Sequence, residues 1–150
     1  MSVKSQKPTE FKVRVYALIQ NDNQFLLSKE QFQGFEFIKF LGGGLELGET
    51  PIECLKRELF EELGIVVEKL KLAHVSEVYV QNRFALYQQV IGIYYNVKLS
   101  ETQLEKINHE LKLSKMQDQL EMIERFWVDK SELYNALTFE MDIDAVNNIE

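Results

Sequence analysis

Apolar and polar residues alternate near the start of the 150-residue chain, and this period of two predicts a half-buried strand over 11–19. A turn is predicted at Asn21–Asn23. Other runs rich in aromatic and β-branched residues predict further strands. They are Gln24–Lys29, Phe35–Leu41, Leu70–Val80, Phe84–Leu99 and Phe126–Val128. The two long runs before the last strand are predicted to form a hairpin that turns near 81–83.

The most sharply bounded helix is predicted to begin at Pro51. Thr50 is the expected N-cap, Pro51 takes the first helical position, Glu53 completes a capping box, and Gly64 ends the helix. A turn of about 100° per residue gives the helix one narrow apolar stripe, which we expect to pack on the sheet. The stripe consists of Ile52, Leu55, Leu59 and Leu63.

Two more helices are predicted at Ser131–Leu137 and Glu140–Asn148. The polar segment Ser100–Gln119 is interpreted as a loop-like insertion with weak helical content. Strands that alternate with helices predict an α/β (α+β) fold with a mixed sheet flanked by helices. We expect a single domain over 1–150, with residues 1–10 as a flexible N-terminus.

The formal net charge of −7 argues against broad attraction to nucleic acid. No apolar run is long enough to cross a membrane, and the polar start lacks a signal peptide. Cys54 is the single cysteine, so no internal disulfide forms, and a cytoplasmic setting is expected. If this acidic protein binds phosphate, a divalent cation is one way to supply positive charge.

Three glutamates, Glu58, Glu61 and Glu62, lie together beside the apolar stripe of the helix. Like charges at helical neighbours destabilise by roughly 0.2–0.5 kcal/mol per pair, and the helix dipole disfavours anions in the last turn. Arg57 relieves part of this repulsion. A solvated acidic face is the ordinary interpretation of such a run, and a tight turn is the ordinary interpretation of Gly42–Gly44. Carboxylates beside a glycine-rich phosphate cradle also form a site suited to Mg²⁺ or Mn²⁺.

The segment 41–65 reads LGGGLELGETPIECLKRELFEELGI and resembles the Nudix box at every position from Gly43 to Ile65. The resemblance extends outward, since Trp127-Val128 is similar to the last strand of that family. Leu41 departs from the many members that have proline before the glycines. The resemblance implies a Nudix-type α/β/α sandwich that covers most of the chain.

The resemblance also implies roles for residues in the box. The implied metal ligands for Mg²⁺ or Mn²⁺ are Glu58, Glu61, Glu62 and the backbone carbonyl of Gly42. The implied phosphate-binding residues are Gly42, Gly43 and Gly44. Arg57 is expected to brace the glutamates by ion pairing with Glu49. In the family the general base is often a glutamate before the last strand, and Glu121 lies six residues before Trp127, with Glu124 as the alternative.

The activity that the resemblance implies is hydrolysis of a nucleoside diphosphate linked to another group, with release of a nucleoside monophosphate. Nucleoside triphosphates, nucleotide sugars and capped nucleotides stay open as substrates. Two alternatives are a non-catalytic Nudix-fold binding module and the diphosphate isomerase branch of the fold. The expected partner is a small-molecule nucleotide, without a stable nucleic-acid complex or a membrane, and a homodimer is left open.

Other reactive side chains are interpreted as ordinary structural residues. Cys54 has no neighbouring histidine and is expected to pack in the core. His74 and His109 are expected to be structural or exposed, and Trp127 is assigned to the core. The basic residues Arg14, Lys29 and Lys39 lie on predicted strands, are assigned to the surface, and are left out of the site.

Overall fold

The computed structural model describes residues 6–116 and 123–149. Within these ranges the chain forms a seven-stranded mixed sheet flanked by helices, as predicted. The strands are β1 (Glu10–Asn21), β2 (Gln24–Phe32), β3 (Phe35–Gly44), β4 (Lys69–Val75), β5 (Val80–Gln81), β6 (Gln88–Lys98) and β7 (Ile123–Asp129). The helices are α1 (Pro51–Leu63), α2 (Glu101–Met116), α3 (Leu133–Ala136) and α4 (Glu140–Val146), with a 3₁₀ turn at Lys130–Glu132.

The strand order in the sheet is β4-β6-β1-β3-β2-β7, and β5 pairs with β6. Strand β1 runs parallel to β6 and antiparallel to β3, with Val15 opposite Gly43. Strand β2 lies between β3 and β7, with Ser28 opposite both Lys39 and Arg125. These registers place the glycines at the end of β3 beside the middle of β1.

Alternate residues of β1 face two separate cores. Val15, Ala17 and Ile19 pack with α1 and with Ile107 of α2. Their neighbours Tyr16 and Leu18 pack on the other face with α3 and α4. The helices at the end of the chain therefore cover the side of the sheet opposite α1. Within the described residues, no helix is both long and apolar enough to span a membrane.

Helix α1 has the ends that its sequence predicts. The side chain of Thr50 accepts a hydrogen bond from the backbone N–H of Glu53 at 3.2 Å, and Gly64 ends the helix in the left-handed conformation. The prediction that Ile52 is buried is wrong, since Ile52 is 41% exposed in the first turn. Cys54 is buried instead, because it packs against the end of β3, where its thiol lies 3.5 Å from the carbonyl of Gly44.

The interpretation of Ser100–Gln119 as a loop-like insertion is wrong for its described part, because residues 101–116 form α2. Ser100 and Gln103 make a reciprocal capping box, with bonds of 3.0 and 3.2 Å between side chain and backbone. The apolar residue Ile107 is then buried against the α1 core, and Asn108 accepts a hydrogen bond from the indole of Trp127 at 2.8 Å. Residues 117–119 lie outside the described residues.

The predicted hairpin of two long strands is also interrupted. Strand β4 ends at Val75, where Ser76 bonds to the backbone of Gly92 through both its N–H and its hydroxyl, at 2.8 and 2.9 Å. Only Val80 and Gln81 pair with β6 beyond this break. Residues 82–87 form a loop in which the side chain of Asn82 accepts the N–H of Phe84 at 2.9 Å. This loop contributes to a pocket described below.

Candidate active site

Arg57 binds the loop between β3 and α1 to the helix. Its Nε and Nη2 donate to the two carboxylate oxygens of Glu49 at 3.1 and 2.8 Å, and its Nη2 also reaches the carbonyl of Gly44 at 3.3 Å. Glu49 in turn accepts the N–H of Glu46 at 2.9 Å. The hydrogen bonds from Arg57 hold the pKa of the Glu49 carboxyl at about 2. The same hydrogen bonds raise the pKa of the Arg57 guanidinium. Glu49 therefore stays ionised and fixes the loop.

The carboxylate of Glu58 lies directly against Gly43. A Cβ atom at residue 43 would overlap that carboxylate, so glycine leaves the space that the glutamate occupies. Arg57 Nη1 donates to Glu58 Oε1 at 3.0 Å. Gly42, beside Gly43, has a φ of +150° and lies so close to the backbone of Val15 that no side chain fits there. The glycines thus bring the backbone of β3 close to the glutamates of α1.

Glu62 is the most desolvated carboxylate of the three. Burial raises the pKa of Glu62 to about 7, against the opposing charges of Lys39 and Arg125. Its Oε2 is buried and has no hydrogen-bond partner among the described residues. An unpaired carboxylate oxygen is costly unless something compensates it, so this atom is the observation that fits a bound cation.

Glu61 is the most exposed of the three, and its Oε2 lies 3.6 Å from Arg57 Nη1. Arg57 therefore attracts both Glu58 and Glu61, whereas Glu62 lies near Lys39 and Arg125. In residues 6–116 and 123–149, no three acidic, histidine or cysteine side chains are already gathered in a metal-binding arrangement. The donor set fits Mg²⁺ or Mn²⁺ by its hard oxygens.

Of the two glutamates proposed from the sequence as general base, Glu121 lies outside the described residues. Glu124 lies on β7, opposite Lys29 of β2. Since successive side chains of a strand point to opposite faces, Glu124 faces away from the side that carries Arg125. Its position therefore gives no support to a role beside Glu62.

Two basic residues that the sequence analysis assigned to the surface lie in the interior. Lys39 is 5% exposed, and its ammonium lies 3.0 Å from Glu30 Oε2. Arg14 is partly buried and donates to the hydroxyl of Tyr16 at 2.8 Å. The assignment of Lys39 and Arg14 to the surface is therefore wrong. The sequence carries a signal for the burial of Lys39, because strand alternation puts it on the same face as the apolar Leu41. A lysine buried on such a face needs a charged partner.

Lys39 and Glu30 lie at one end of a pocket with a volume of about 500 Å³. Its walls combine aromatic side chains with polar and charged ones, and they come from all strands except β4, from the 82–87 loop and from the start of α4. The polar and charged residues besides Glu30 and Lys39 are Arg14, Gln31, Gln81, Asn82 and Arg83. The aromatic residues that line it are Tyr16, Phe32, Phe37, Phe84 and Phe139. Arg83 lines the pocket as well, and its guanidinium stacks 3.6 Å from the ring centre of Phe35. Lys39 lines the pocket, and its charge also lowers the pKa of Glu62.

The remaining reactive residues have structural surroundings. Burial raises the pKa of the Cys54 thiol to about 12, which fits a packing residue rather than a nucleophile. His74 is buried and lies 2.8 Å from Asp144 of α4. His109 is exposed on α2. Lys29 forms a surface ion pair with Glu36 at 3.3 Å.

Comparison with known proteins identifies the family of the chain. The model of the NUDIX domain matches residues 10–146, so the chain belongs to the Nudix family. An 8-oxo-dGTP diphosphatase of Haemophilus influenzae is 32% identical over 81 residues, which are 52% of this chain and 55% of that protein. An RNA pyrophosphohydrolase of Psychromonas ingrahamii is 36% identical over 66 residues, 44% of this chain and 36% of that protein.

The alignments thus span about half the length of the first relative and about a third of the second. Among solved structures, a MutT protein from Methanosarcina mazei Go1 has a TM-score of 0.63 at 23% identity. That alignment covers 97% of this chain and 93% of the other. At this identity the similarity establishes the fold.

Proposed function

We propose that this protein is a Nudix pyrophosphohydrolase that uses divalent metal ions to hydrolyse a nucleoside diphosphate linked to another group, with release of a nucleoside monophosphate. The observation that carries the proposal is the cluster at the end of β3, where Glu58 lies against Gly43 and Glu62 keeps a buried carboxylate oxygen without a described partner. The names of the two curated relatives support the same class of reaction.

In this proposal Glu58, Glu61 and Glu62 of α1, with the carbonyl of Gly42, hold Mg²⁺ or Mn²⁺. The bound metal neutralises the diphosphate and lowers the pKa of an attacking water. Arg57 keeps Glu58 in place and, through Glu49, keeps the 45–49 loop in place. The backbone at Gly42, Gly43 and Gly44 lies close enough to the glutamates to border a bound phosphate. Glu121 stays our proposal for the general base.

The aromatic pocket beside Glu62 is proposed to hold the nucleoside. Its size of about 500 Å³ suits a base with its sugar, and its aromatic walls offer stacking partners for a flat ring. Lys39 lines the pocket and its charge acts on Glu62, so we place the diphosphate on the side of the pocket that faces the glutamates. This arrangement joins recognition of the nucleoside to hydrolysis at its phosphates.

A panel of nucleoside triphosphates, nucleotide sugars and dinucleotides tests the function. With Mg²⁺ or Mn²⁺ we expect monophosphate release from at least one of them, and none with chelator. Glu58→Gln should lower kcat by on the order of 10² or more, since it removes a charge that acts in the transition state. Glu68→Gln, an exposed glutamate beyond the helix, is the matched control and should keep full activity. No turnover across the panel in the metal-loaded protein would indicate a binding module instead.

A further inference from the structure

Strand β3 ends between charged side chains of opposite sign, one group on each of its faces. A Cβ atom at residue 43 would meet the carboxylate of Glu58, whereas a Cβ atom at residue 44 would lie 2.8 Å from both Cε and Nζ of Lys12. The latter would also lie 4.0 Å from Nη1 of Arg14, which is the β1 residue opposite Gly44. Since successive residues of a strand face opposite sides of the sheet, the glutamate and the two cations lie on either side of the glycines.

One edge of this strand end is not paired with another strand among the described residues. Strand β1 pairs with β3 from Leu41 to Gly44, whereas β2 pairs with β3 only from Phe35 to Phe40. The edge of Gly42–Gly44 that faces away from β1 therefore keeps backbone groups free of strand pairing. A diphosphate along this edge would have the glutamates on one side of the strand and the two cations on the other.

Both cations keep N–H groups that an anion can use. The Nε of Arg14 donates to the hydroxyl of Tyr16 at 2.8 Å, and the described hydrogen bonds do not use its two Nη groups. Burial acts to lower the pKa of Arg14, but Tyr16 and the charges of Glu30 and Glu58 raise it above its usual value, so Arg14 stays charged. The ion pairs formed within residues 6–116 and 123–149 do not include Lys12.

The two cations follow one another along β1 in the direction away from the pocket. Tyr16 and Arg14 line the pocket, and Lys12 lies two residues further along the strand, about 7 Å away, outside the lining. With the nucleoside in the pocket and the diphosphate beside Gly42–Gly44, Arg14 is next to the phosphate nearer the nucleoside. Lys12 is then next to the part of the substrate that lies beyond the diphosphate.

We propose that Lys12 is a specificity-determining residue that selects substrates with a further phosphate beyond the scissile diphosphate, as in a nucleoside triphosphate, over nucleotide sugars. This inference rests on the proposed function, because it uses the same placement of the nucleoside and the diphosphate. An ammonium makes a charge-assisted hydrogen bond to a phosphate, whereas the neutral hydroxyl groups of a sugar give it no opposite charge. Arg14 contacts a phosphate that both kinds of substrate contain, so it contributes affinity without this selectivity.

The test measures binding of analogues in which a methylene group replaces the oxygen between the first two phosphates, which prevents hydrolysis there. Titration calorimetry with Mg²⁺ compares such triphosphate analogues of adenosine, guanosine, cytidine and uridine with the corresponding diphosphate analogues. For at least one nucleoside, wild-type protein should bind the triphosphate analogue on the order of tenfold more tightly. Lys12→Met should remove most of this difference, and Lys12→Arg should keep it.

Three results would overturn the role of Lys12. The first is equal binding of the triphosphate and diphosphate analogues to wild-type protein, and the second is an unchanged difference in Lys12→Met. The third is no detectable binding of any triphosphate analogue.

Two further variants separate a local contact from the effect of overall charge. Lys71→Met removes the same charge from an exposed position on β4, which β6 separates from β1, and it should leave the difference unchanged. A loss as large as in Lys12→Met would show a general charge effect and overturn the proposal. Arg14→Lys should weaken both analogues by a similar factor; a loss confined to the triphosphate would assign the further phosphate to Arg14 and overturn the role of Lys12.

The hydrolysis panel distinguishes this inference from the proposed function. Hydrolysis of nucleotide sugars as fast as nucleoside triphosphates keeps the proposed function and overturns the role of Lys12. A preference for the triphosphate analogue that depends on Lys12, without hydrolysis of any substrate in the panel, supports the role of Lys12 and contradicts the proposed function.

Discussion

Gly43 is the residue whose lack of a side chain matters most to the glutamates, because the Glu58 carboxylate occupies the space beside it. We predict that Gly43→Ala displaces this carboxylate and lowers kcat by about tenfold or more, since a misplacement of about 1 Å at a reacting centre costs up to 10²-fold. Steady-state kinetics on a hydrolysed substrate measures the effect, and the melting temperature shows whether the variant is folded.

Gly44→Ala provides a contrast on the same strand end. A Cβ atom there meets the end of the Lys12 side chain at 2.8 Å and Arg14 Nη1 at 4.0 Å, and these flexible side chains move away at little cost. We therefore expect a clearly smaller loss of kcat than for Gly43→Ala. Equal losses for the two variants would show that the loop as a whole, and not the Glu58 contact, limits activity.

The candidate site could be predicted from sequence as far as it lies within one continuous segment. Arg57, Glu58 and Glu62 occur on one helix, so helical periodicity alone places them together. Lys39 and Arg125 could not be placed in the same way, because their proximity to Glu62 arises from the pairing of β2 with β3 and β7. Register between strands is not contained in any local pattern.

Helix α2 begins at a capping box and packs Leu104, Ile107 and Leu111 on the α1 core. The Ser100 hydroxyl accepts the backbone N–H of Gln103, and Gln103 Oε1 accepts the backbone N–H of Ser100. The Nε2 of Gln103 donates to the carbonyl of Val66 at 2.8 Å. We predict that Ser100→Ala lowers the free energy of unfolding by about 1 kcal/mol, as expected for an N-cap. Urea denaturation measures it. Thr102→Ala, exposed in the same first turn, should be neutral or slightly stabilising because alanine favours helix.

The elements that the sequence predicted well have a regular spacing of apolar residues and residues that mark where the element begins and ends. Thr50 and Gly64 bound α1, and the strict alternation in β1 marks its two faces. The prediction of α2 failed because its apolar positions are few, although Ser100 and Gln103 carry a capping signal. The sequence did not predict the break after Val75, because the break depends on hydrogen bonds between Ser76 and Gly92, which lie on different arms of the hairpin.

Helix α4 is attached to the sheet through Asp142, which is buried and accepts the hydroxyl of Tyr94 at 2.5 Å. Burial raises the pKa of Asp142 from 3.8 to about 6, although Tyr94, Lys39 and Arg14 oppose the rise. Since the folded state holds this proton more tightly than the unfolded state, the associated stability is present below pH about 4. It is lost as the pH rises through about 6.

We therefore predict that Asp142→Asn becomes more stable relative to wild type between pH 4 and pH 8, by on the order of 2–3 kcal/mol. Denaturation curves of both proteins across this range measure the change, and the constant cost of the substitution cancels in the comparison. A stability difference that does not vary with pH would show that Asp142 titrates normally in the folded protein.

The pocket is a property of the whole molecule, since no local segment contains it. Glu30 comes from β2, Lys39 from β3, Phe84 from the 82–87 loop and Phe139 from the turn before α4. These residues meet only after the sheet has formed and the last helices have packed on it. The sequence therefore predicted the phosphate side of the site and not the side that is proposed to hold the nucleoside.

The buried carboxylate of Glu62 leads us to expect that metal binding stabilises the protein. Burial of Glu62 raises its pKa to about 7, so its ionised form destabilises the metal-free protein at higher pH. We predict that Glu62→Gln raises the melting temperature in chelator at pH 8, by a free energy on the order of 1 kcal/mol.

With Mg²⁺ the order of stability should reverse. A metal that binds only the folded state, as we propose for Mg²⁺, should raise the melting temperature of the wild type, whereas Glu62→Gln should lose most of this rise. Glu61→Gln is the matched comparison on the same turn, because Glu61 is exposed and contacts Arg57 only at 3.6 Å. It should change the metal-free melting temperature less than Glu62→Gln does. Thermal melts at matched ionic strength measure these changes in melting temperature. An equal rise with Mg²⁺ in wild type and Glu62→Gln would place the metal away from the buried carboxylate.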